Sequence, residues 1–373
     1  MKNTKKVNNN IKGRTIDDIE ISMSETIPKQ LSLFQILLPN NKKYSNTIEL
    51  YDAIPKYFSS PKQMASLRHS SRFLDVLERE FKHRGETYRL EMTPARIKRA
   101  EDGQIEYYPT MRENLVEEAL RKLATDPQCG RYFDGNMGVR FTLYQLRQEL
   151  KERGHSIKYP SLIESLTIAN RSNLSITKIS GGKEPVLSSP IFPVLMLSNR
   201  DEWLSNPKST YCYVQFNVLV TQSISSLTYR QFDYNSYMAF KKSLSRWLHR
   251  RMCHNYTQAK MTNSYIIKTS TIVRDSGLIS DGIDVRHQIV EIEESLSELK
   301  ASGILYRYDT IKDFEGRKII DATHELRPSS RFVDDIITAN KHQLTLEKIA
   351  HDDGFLEQSH NPETGIFHKK IIG

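Results

Sequence analysis

From Thr110 onward the apolar residues fall into successive blocks, first spaced three or four apart and then alternating or running together, and each block carries its own start or stop signal. Thr110 and Glu113 form a capping box ahead of Leu115, Val116, Ala119, Leu120 and Leu123, which predicts a helix to about Ala124. Val139 to Phe141 reads as a short strand. Thr142 then caps a helix with Leu143, Leu146 and Leu150 inward, ended by Gly154. The next helix starts near Pro160, turns Leu162, Ile163, Leu166 and Ile168 inward and stops by Asn173. Leu174 to Ile179 and Val186 to Leu197 follow as two strands joined at Gly181-Gly182 in hairpin fashion.

The same order returns further on. Tyr211 to Val220 is a predicted strand, and a long helix from about Tyr234 to Tyr256 buries Phe240, Leu244, Trp247 and Leu248. Thr271 to Leu278 is a short helix closed by Gly277. Val285, Ile289, Ile292, Leu296 and Leu299 recur at alternating steps of four and three, the mark of a helix packed on one side, and Gly303 ends it. Ile304 to Ile311 and Lys318 to Leu326 are strands around Asp313-Phe314-Glu315-Gly316. Helix, strand, helix, helix, hairpin is the order of a winged helix, and it occurs twice without a visible sequence repeat.

The region ahead of Thr110 reads differently. Residues 1 to about 45 are rich in Asn, Lys, Ser and Thr with little periodicity, so a mobile arm is expected, interrupted by one apolar island, Gln30-Leu31-Ser32-Leu33-Phe34. Residues 46 to 109 mix a helix over Ser71 to His83 with strands at Tyr88 to Ile97 and Gln104 to Tyr108, a small α+β region of unassigned role. The expected fold class is therefore α+β, tandem winged-helix domains behind a mobile amino-terminal arm. Its divisions are 1–45, 46–109, 110–205 and 206–335, with a tail over 336–373.

Composition narrows the partner. Lys and Arg total 54 against 45 Asp and Glu, a net charge of +9, which favours a polyanion. No run approaches the roughly 18 apolar residues of a membrane span, and the polar start lacks the core of a secretory signal. No membrane association is expected, and the expected location is the cytoplasm, on nucleoid or plasmid. Three scattered cysteines, Cys129, Cys212 and Cys253, fit a reducing compartment.

In a helix-turn-helix the second helix presents its first turn to base edges, which selects Arg286, His287 and Gln288 in the second unit. Lys158, Ser161 and Arg171 bracket the equivalent helix of the first. Phosphate contacts need charge more than direction, so Arg307, Lys312, Arg317 and Lys318 on the second wing and Lys178 and Lys183 on the first are candidates. Lys241, Lys242, Arg246, Arg250 and Arg251 make a basic face on the Trp247 helix, with a solvated face as the alternative.

Enzyme signatures are mostly missing. The chain has 18 Tyr and 11 His but no His-x-His for a metal-dependent nicking enzyme. Gly181-Gly182-Lys183 lacks the upstream glycine of a phosphate loop. His249, Cys253 and His254 lack an evident fourth zinc ligand; Asp334-Asp335 and Asp352-Asp353 are candidate magnesium ligands or plain exposed pairs. No catalytic residue, metal or cofactor is expected.

The stretch Thr271 to Leu278, Arg286 to Gly303 and the wing ending in Leu326-Arg327-Pro328 resembles the carboxyl-terminal winged helix of theta-type plasmid replication initiators that bind iterons, with the likeness covering about 110–335. Gln30 to Phe34 resembles the Gln-Leu-x-Leu-Phe peptide with which bacterial proteins bind the replicative sliding clamp, the alternative being a segment packed on the protein's own core. The resemblance implies binding of double-stranded DNA at repeated plasmid origin sites, local opening of an AT-rich segment, and recruitment of the clamp, the host initiator and the replicative helicase. Monomer and homodimer both stay open as the active form. A winged-helix transcriptional repressor and a replication enzyme, primase or nuclease, are the rival readings.

Overall fold

The structure is a computed structural model describing residues 29–37, 42–58, 64, 67–69, 73–99, 103–133, 135–198, 206, 210–354, 356–360 and 367–371. Most of the expected arm, residues 1–28 and 38–41, lies outside that set. Its apolar island does not. Lys29–Gln35 is a helix, α1, with Leu31, Leu33 and Phe34 buried, so these residues are a packed element where a mobile arm was expected.

Tyr44–Ile48 (β1) and Glu49–Ala53 (α2) follow, then the short pair Arg68–His69 (β2) and Phe73–Leu74 (β3). Leu77–His83 (β4) and Glu86–Thr93 (β5) form an antiparallel hairpin. Its turn, Arg84-Gly85, has φ values of 48° and 81°, the left-handed pair that suits a two-residue hairpin loop. The helix expected over Ser71 to His83 is thus corrected to a strand, whose exposure alternates through Glu78, Arg79, Glu80, Phe81 and Lys82. Pro94 separates β5 from Ala95–Arg99 (β6), splitting the strand expected over Tyr88 to Ile97, and Gly103–Tyr107 (β7) pairs with β6.

Met111–Ala124 (α3) carries the predicted capping box of Thr110 and Glu113 with both hydrogen bonds present. Gly130–Phe133 (β8) and Asn136–Thr142 (β9) lead to Leu143–Glu152 (α4), whose box uses Thr142 and Gln145. Tyr159–Arg171 (α5) takes Pro160 into its first turn. Asn173–Lys178 (β10) and Glu184–Pro190 (β11) make the first wing, and Leu195–Met196 (β12) follows. These elements are the first winged helix.

Tyr211–Gln215 (β13) ends sooner than expected, because the Asn217 side chain accepts from the Leu219 amide and starts a helix, Val218–Ser225 (α6). Tyr229–Asp233 (β14) pairs with β1. The long helix expected over Tyr234 to Tyr256 is two, Tyr234–Ala239 (α7) and Ser243–Asn255 (α8). Between them the Lys241 and Lys242 amides both donate to the Glu298 carboxylate, at 2.7 and 3.1 Å, instead of to helical carbonyls. Tyr265–Lys268 (β15), Thr269–Ser276 (α9), Val285–Ala301 (α10), Leu305–Glu315 (β16) and Lys318–Pro328 (β17) complete the second winged helix. Gly277, at φ 60°, closes α9 as predicted. The first part of the stretch named a tail, 336–352, belongs to a helix, Ser330–Asp352 (α11), which buries Phe332, Ile336, Ala339, Leu346 and Ala350. Leu356–His360 (β18) pairs with Phe367–Ile371 (β19). Among the described residues no helix is long and apolar enough to cross a membrane.

Residues 46–109 do not pack as a separate body. β4 and β5 extend the first wing into a four-stranded sheet, β11-β10-β5-β4, while β1 joins the second half through β14. One hydrophobic cluster runs from α1 to α11. At its centre lies a buried set of charges: Arg121 on α3 donates to Asp52 on α2 at 2.8 Å and to Glu118, and Arg250 on α8 meets Glu118 at 2.7 Å. These ion pairs join the two winged helices in addition to the apolar surface they share.

Burial also sets a pH response. His249 on α8 and His324 on β17 are almost fully covered, and desolvation holds each imidazole down to about 4. The unfolded chain binds these protons near pH 6.5 and the folded one does not, so stability is complete above that pH and declines as pH falls toward 4. Urea unfolding at pH 5 should therefore give a free energy below the pH 7 value by about 2 kcal/mol for each imidazole. An unchanged value would mean that both rings reach solvent.

Candidate nucleic-acid interface

Asp284 caps α10 by accepting from the Arg286 amide at 2.7 Å, and this first turn leaves the Arg286 and His287 side chains exposed. Gln288 behaves otherwise. It is 7% exposed and donates to the Ser280 carbonyl at 3.2 Å, so it braces the turn between α9 and α10 and is removed from the base-reading set. From Gly303 the chain reverses, and β16 runs back beside α10: the Tyr308 hydroxyl meets Ser297 Oγ at 2.8 Å and the Glu293 carbonyl at 3.4 Å. The far end of the wing, with Lys312, Arg317 and Lys318 exposed, therefore lies toward the end of α10 that carries Arg286. Arg307 is nearer the body and turned onto Asp309 at 2.8 Å. Sequence reasoning missed Lys268, which precedes α9 without a capping hydrogen bond and reaches Asp313 at 3.2 Å; no periodicity in the short β15 marks it.

The basic face expected on the Trp247 helix is largely dissolved. Arg246 is 4% exposed and donates to the Tyr237 and Phe240 carbonyls, closing the break between α7 and α8. Arg250 belongs to the buried ionic set, and Arg251 binds Asp275 at 3.1 Å. Lys242 meets Glu294 at 2.6 Å, which offsets one of the acids along α10, while the Lys241 side chain stays exposed. The carboxylates that claim these cations come from elements distant in sequence, which helical spacing cannot reveal.

In the first unit Lys158 is exposed at the start of α5 and Ser161 is half-buried one turn in. Arg171 sits at the opposite end and donates to the Arg96 carbonyl at 3.0 Å, so it does not join them. β6 covers the later part of α5, with Ala95 and Ile97 packed on Ile168. On the first wing Lys178 binds Glu86 at 3.1 Å, and Lys183 is exposed in the Gly181-Gly182 turn. The surface cations left near base or phosphate positions are fewer here than in the second unit.

β4 couples the two. It is the edge of the first-wing sheet and also the floor under α9: the Lys82 amide donates to Asp275 at 3.0 Å, and a Cβ added at Gly277 would lie 2.7 Å from Arg79 Nη1. Between the β4–β5 turn and α8 opens a cleft of about 330 Å³ whose walls include Lys82, Arg84, Trp247 and Arg274. Lys82 and Arg84 lie in the region to which no role was assigned, and Arg274 lies on α9.

The remaining candidates are accounted for elsewhere. Cys253 Sγ approaches His249 Nε2 at 3.9 Å, and His254 Nε2 turns to Thr47 at 3.0 Å; among the described residues no three His, Cys, Asp or Glu are grouped to hold a metal. Asp335 accepts from Lys43 at 2.5 Å and from Tyr44 at 2.9 Å, while Asp334 is exposed. The Gln30 to Phe34 segment is held as a helix, with Gln30 half-buried and Ser32 exposed. The Phe34 ring packs edge-on against Tyr229, the Asn46 amide donates to the Phe34 carbonyl at 2.7 Å, and His342 meets the Ile36 carbonyl at 2.7 Å. The extended, accessible peptide expected there is corrected to a buried helix.

No family model matches the chain, and no curated protein matches it. Among solved structures, a crystal structure of selenomethionine derivatives of domains 2 and 3 of RctB resembles it with a TM-score of 0.41 and 10% identity, over 71% of this chain and 95% of that one. A second crystal structure of RctB domains 2-3 gives a TM-score of 0.43 and 11% identity over 76% and 99%. The Pi initiator protein in complex with iteron DNA gives 0.40 and 14% over 58% and 90%.

Proposed function

We propose that the chain is a plasmid replication initiator that binds double-stranded DNA at repeated origin sites, as a binding protein without a catalytic centre of its own. The observation that carries this reading is on the second unit, where Arg286 and His287 are exposed on the first turn of α10 and the wing, running back along that helix, exposes Lys312, Arg317 and Lys318 at its far end. A helix end of that kind reads base edges from the major groove, and cations beside it neutralise phosphates. Lys158 and Lys183 offer the first unit a lighter grip on the same duplex.

Arg286→Ala should weaken binding to the selected DNA site by about 1–3 kcal/mol, roughly 5- to 150-fold, if the guanidinium reads a guanine. Fluorescence anisotropy at fixed salt measures this, and an unchanged affinity removes Arg286 from the interface. The burial of Leu31, Leu33 and Phe34 favours a second reading, a winged-helix repressor, which uses the same DNA contacts and needs no clamp peptide. A pull-down with purified sliding clamp separates the two: capture by the intact chain favours the initiator, with α1 released on binding, and absence of capture favours the repressor.

A further inference from the structure

The second wing carries apolar side chains that are largely open to solvent. Phe314 is 60% exposed, Ile311 59% and Ile320 48%, while Ala322, nearer the body on the same hairpin, is fully buried. β15 pairs with β17 only over Thr323 to Leu326, so beyond Ala322 the wing continues as a bare two-stranded ribbon to the pair Glu315 and Lys318. Within that ribbon the register slips: Asp313 faces Asp321 and Phe314 faces Ile319, which leaves Ile320 unopposed. A bulge of this kind twists the ribbon and redirects a side chain at its tip. Exposed aromatic and branched residues at the end of a projecting hairpin contribute no burial to the fold.

Charge indicates what they meet. Lys312, Arg317 and Lys318 flank Phe314, while Asp313 is bound to Lys268 and Asp321 to Ser270, so Glu315 is the acid left at the tip. A second copy of the chain would bring these cations against one another across a two-fold axis. A duplex would bring phosphates. With α10 in a major groove, the wing beside it reaches the adjacent minor groove. That groove is about 6 Å wide, whereas the strands alone lie about 4.8 Å apart, so the ribbon enters only by single side chains or by forcing the groove open.

We propose that the tip of the second wing is a wedge, in which Phe314, supported by Ile319 and Ile320, enters the minor groove and unstacks a base step while Lys312, Arg317 and Lys318 hold the flanking phosphates. The inference rests on the DNA-binding reading above and adds deformation of the bound duplex to it. Apolar wedges of Phe and Ile kink DNA in this way, and the site is then chosen partly by how easily it bends.

The test uses the full chain and a duplex recovered by selection from a random library, with 2-aminopurine placed at successive positions. The intact protein should raise the probe's fluorescence at one step. Phe314→Ala should remove most of that rise while lowering affinity by less than about tenfold, and Phe314→Trp, which can also stack, should keep it. Thermal melts of both variants should match the parent, since the ring touches solvent. The proposal is overturned if Phe314→Ala leaves the fluorescence rise intact, if no probe position responds to the parent, or if the substitution instead converts a dimer to a monomer in sedimentation. Failure of the selection to recover any duplex would sink the DNA-binding reading itself, a separate result.

Discussion

Replacing Asp52 with alanine is expected to lower the unfolding free energy by about 3–5 kcal/mol, the range seen when one partner of a buried ion pair is removed. Asp52 is buried between α2, α3 and α8, where it binds the Arg121 guanidinium at 2.8 and 3.1 Å and lies 3.6 Å from Arg250. Burial alone would raise the pKa of its carboxyl, but the guanidiniums of Arg121 and Arg250 hold it well below the usual carboxylate range. Without it, both arginines share Glu118 in a site that water does not reach. The coupled loss should appear in urea unfolding as a lower midpoint with an unchanged slope. Methionine at Arg121, in the Asp52→Ala background, should restore part of the stability by removing the unpaired charge, since Arg250 keeps Glu118 as its partner. A loss below about 1 kcal/mol would mean that water enters the cluster.

Phe34→Ala is the second large effect, about 3–5 kcal/mol if the vacated space does not close. The ring is fully buried against Tyr229, and its helix is tied by Asn46 and His342 to β1 and α11, so three separate parts of the chain meet at this side chain. If α1 can instead leave as a unit, the loss will be smaller, and limited proteolysis will cut between residues 29 and 37 before the rest unfolds. Full stability and full protection together would contradict the seated helix. The experiment also bears on the clamp. A variant that loosens α1 from outside the motif, Asn46→Ala, which removes the amide held by the Phe34 carbonyl, should capture clamp better than the parent if burial is what withholds the peptide.

The second winged helix was the more legible half of the sequence. Its signals are local: a one-sided stripe from Val285 to Leu299, a glycine at the left-handed position of Gly277, and a hairpin around Gly316. The capping box of Thr110 and Glu113 was equally plain, since it is complete within four residues, and Thr142 was legible as a cap, whereas the returning bond from Gln145 was not read. The β4 strand was not, because its alternation passes through Glu, Arg and Lys, and only the Arg84-Gly85 turn marks it. The site divided along the same line. Arg286 and His287 stay where position on a helix puts them, whereas Arg246, Arg250 and Gln288 are taken up by Phe240, Glu118 and Ser280. Basic residues on a predicted helix reveal charge but not its partners, and those partners are set by tertiary packing.

The hairpin of β4 and β5 bears on the proposed DNA binding. Since the same strand closes one sheet and supports the helix-turn-helix of the other half, it ties the two units together, and under that proposal they would meet a duplex as one piece. A double helix whose contact points fall out of phase with that rigid gauge must twist or bend to be held at both, and the energy of doing so becomes part of how a correct address is told from a wrong one.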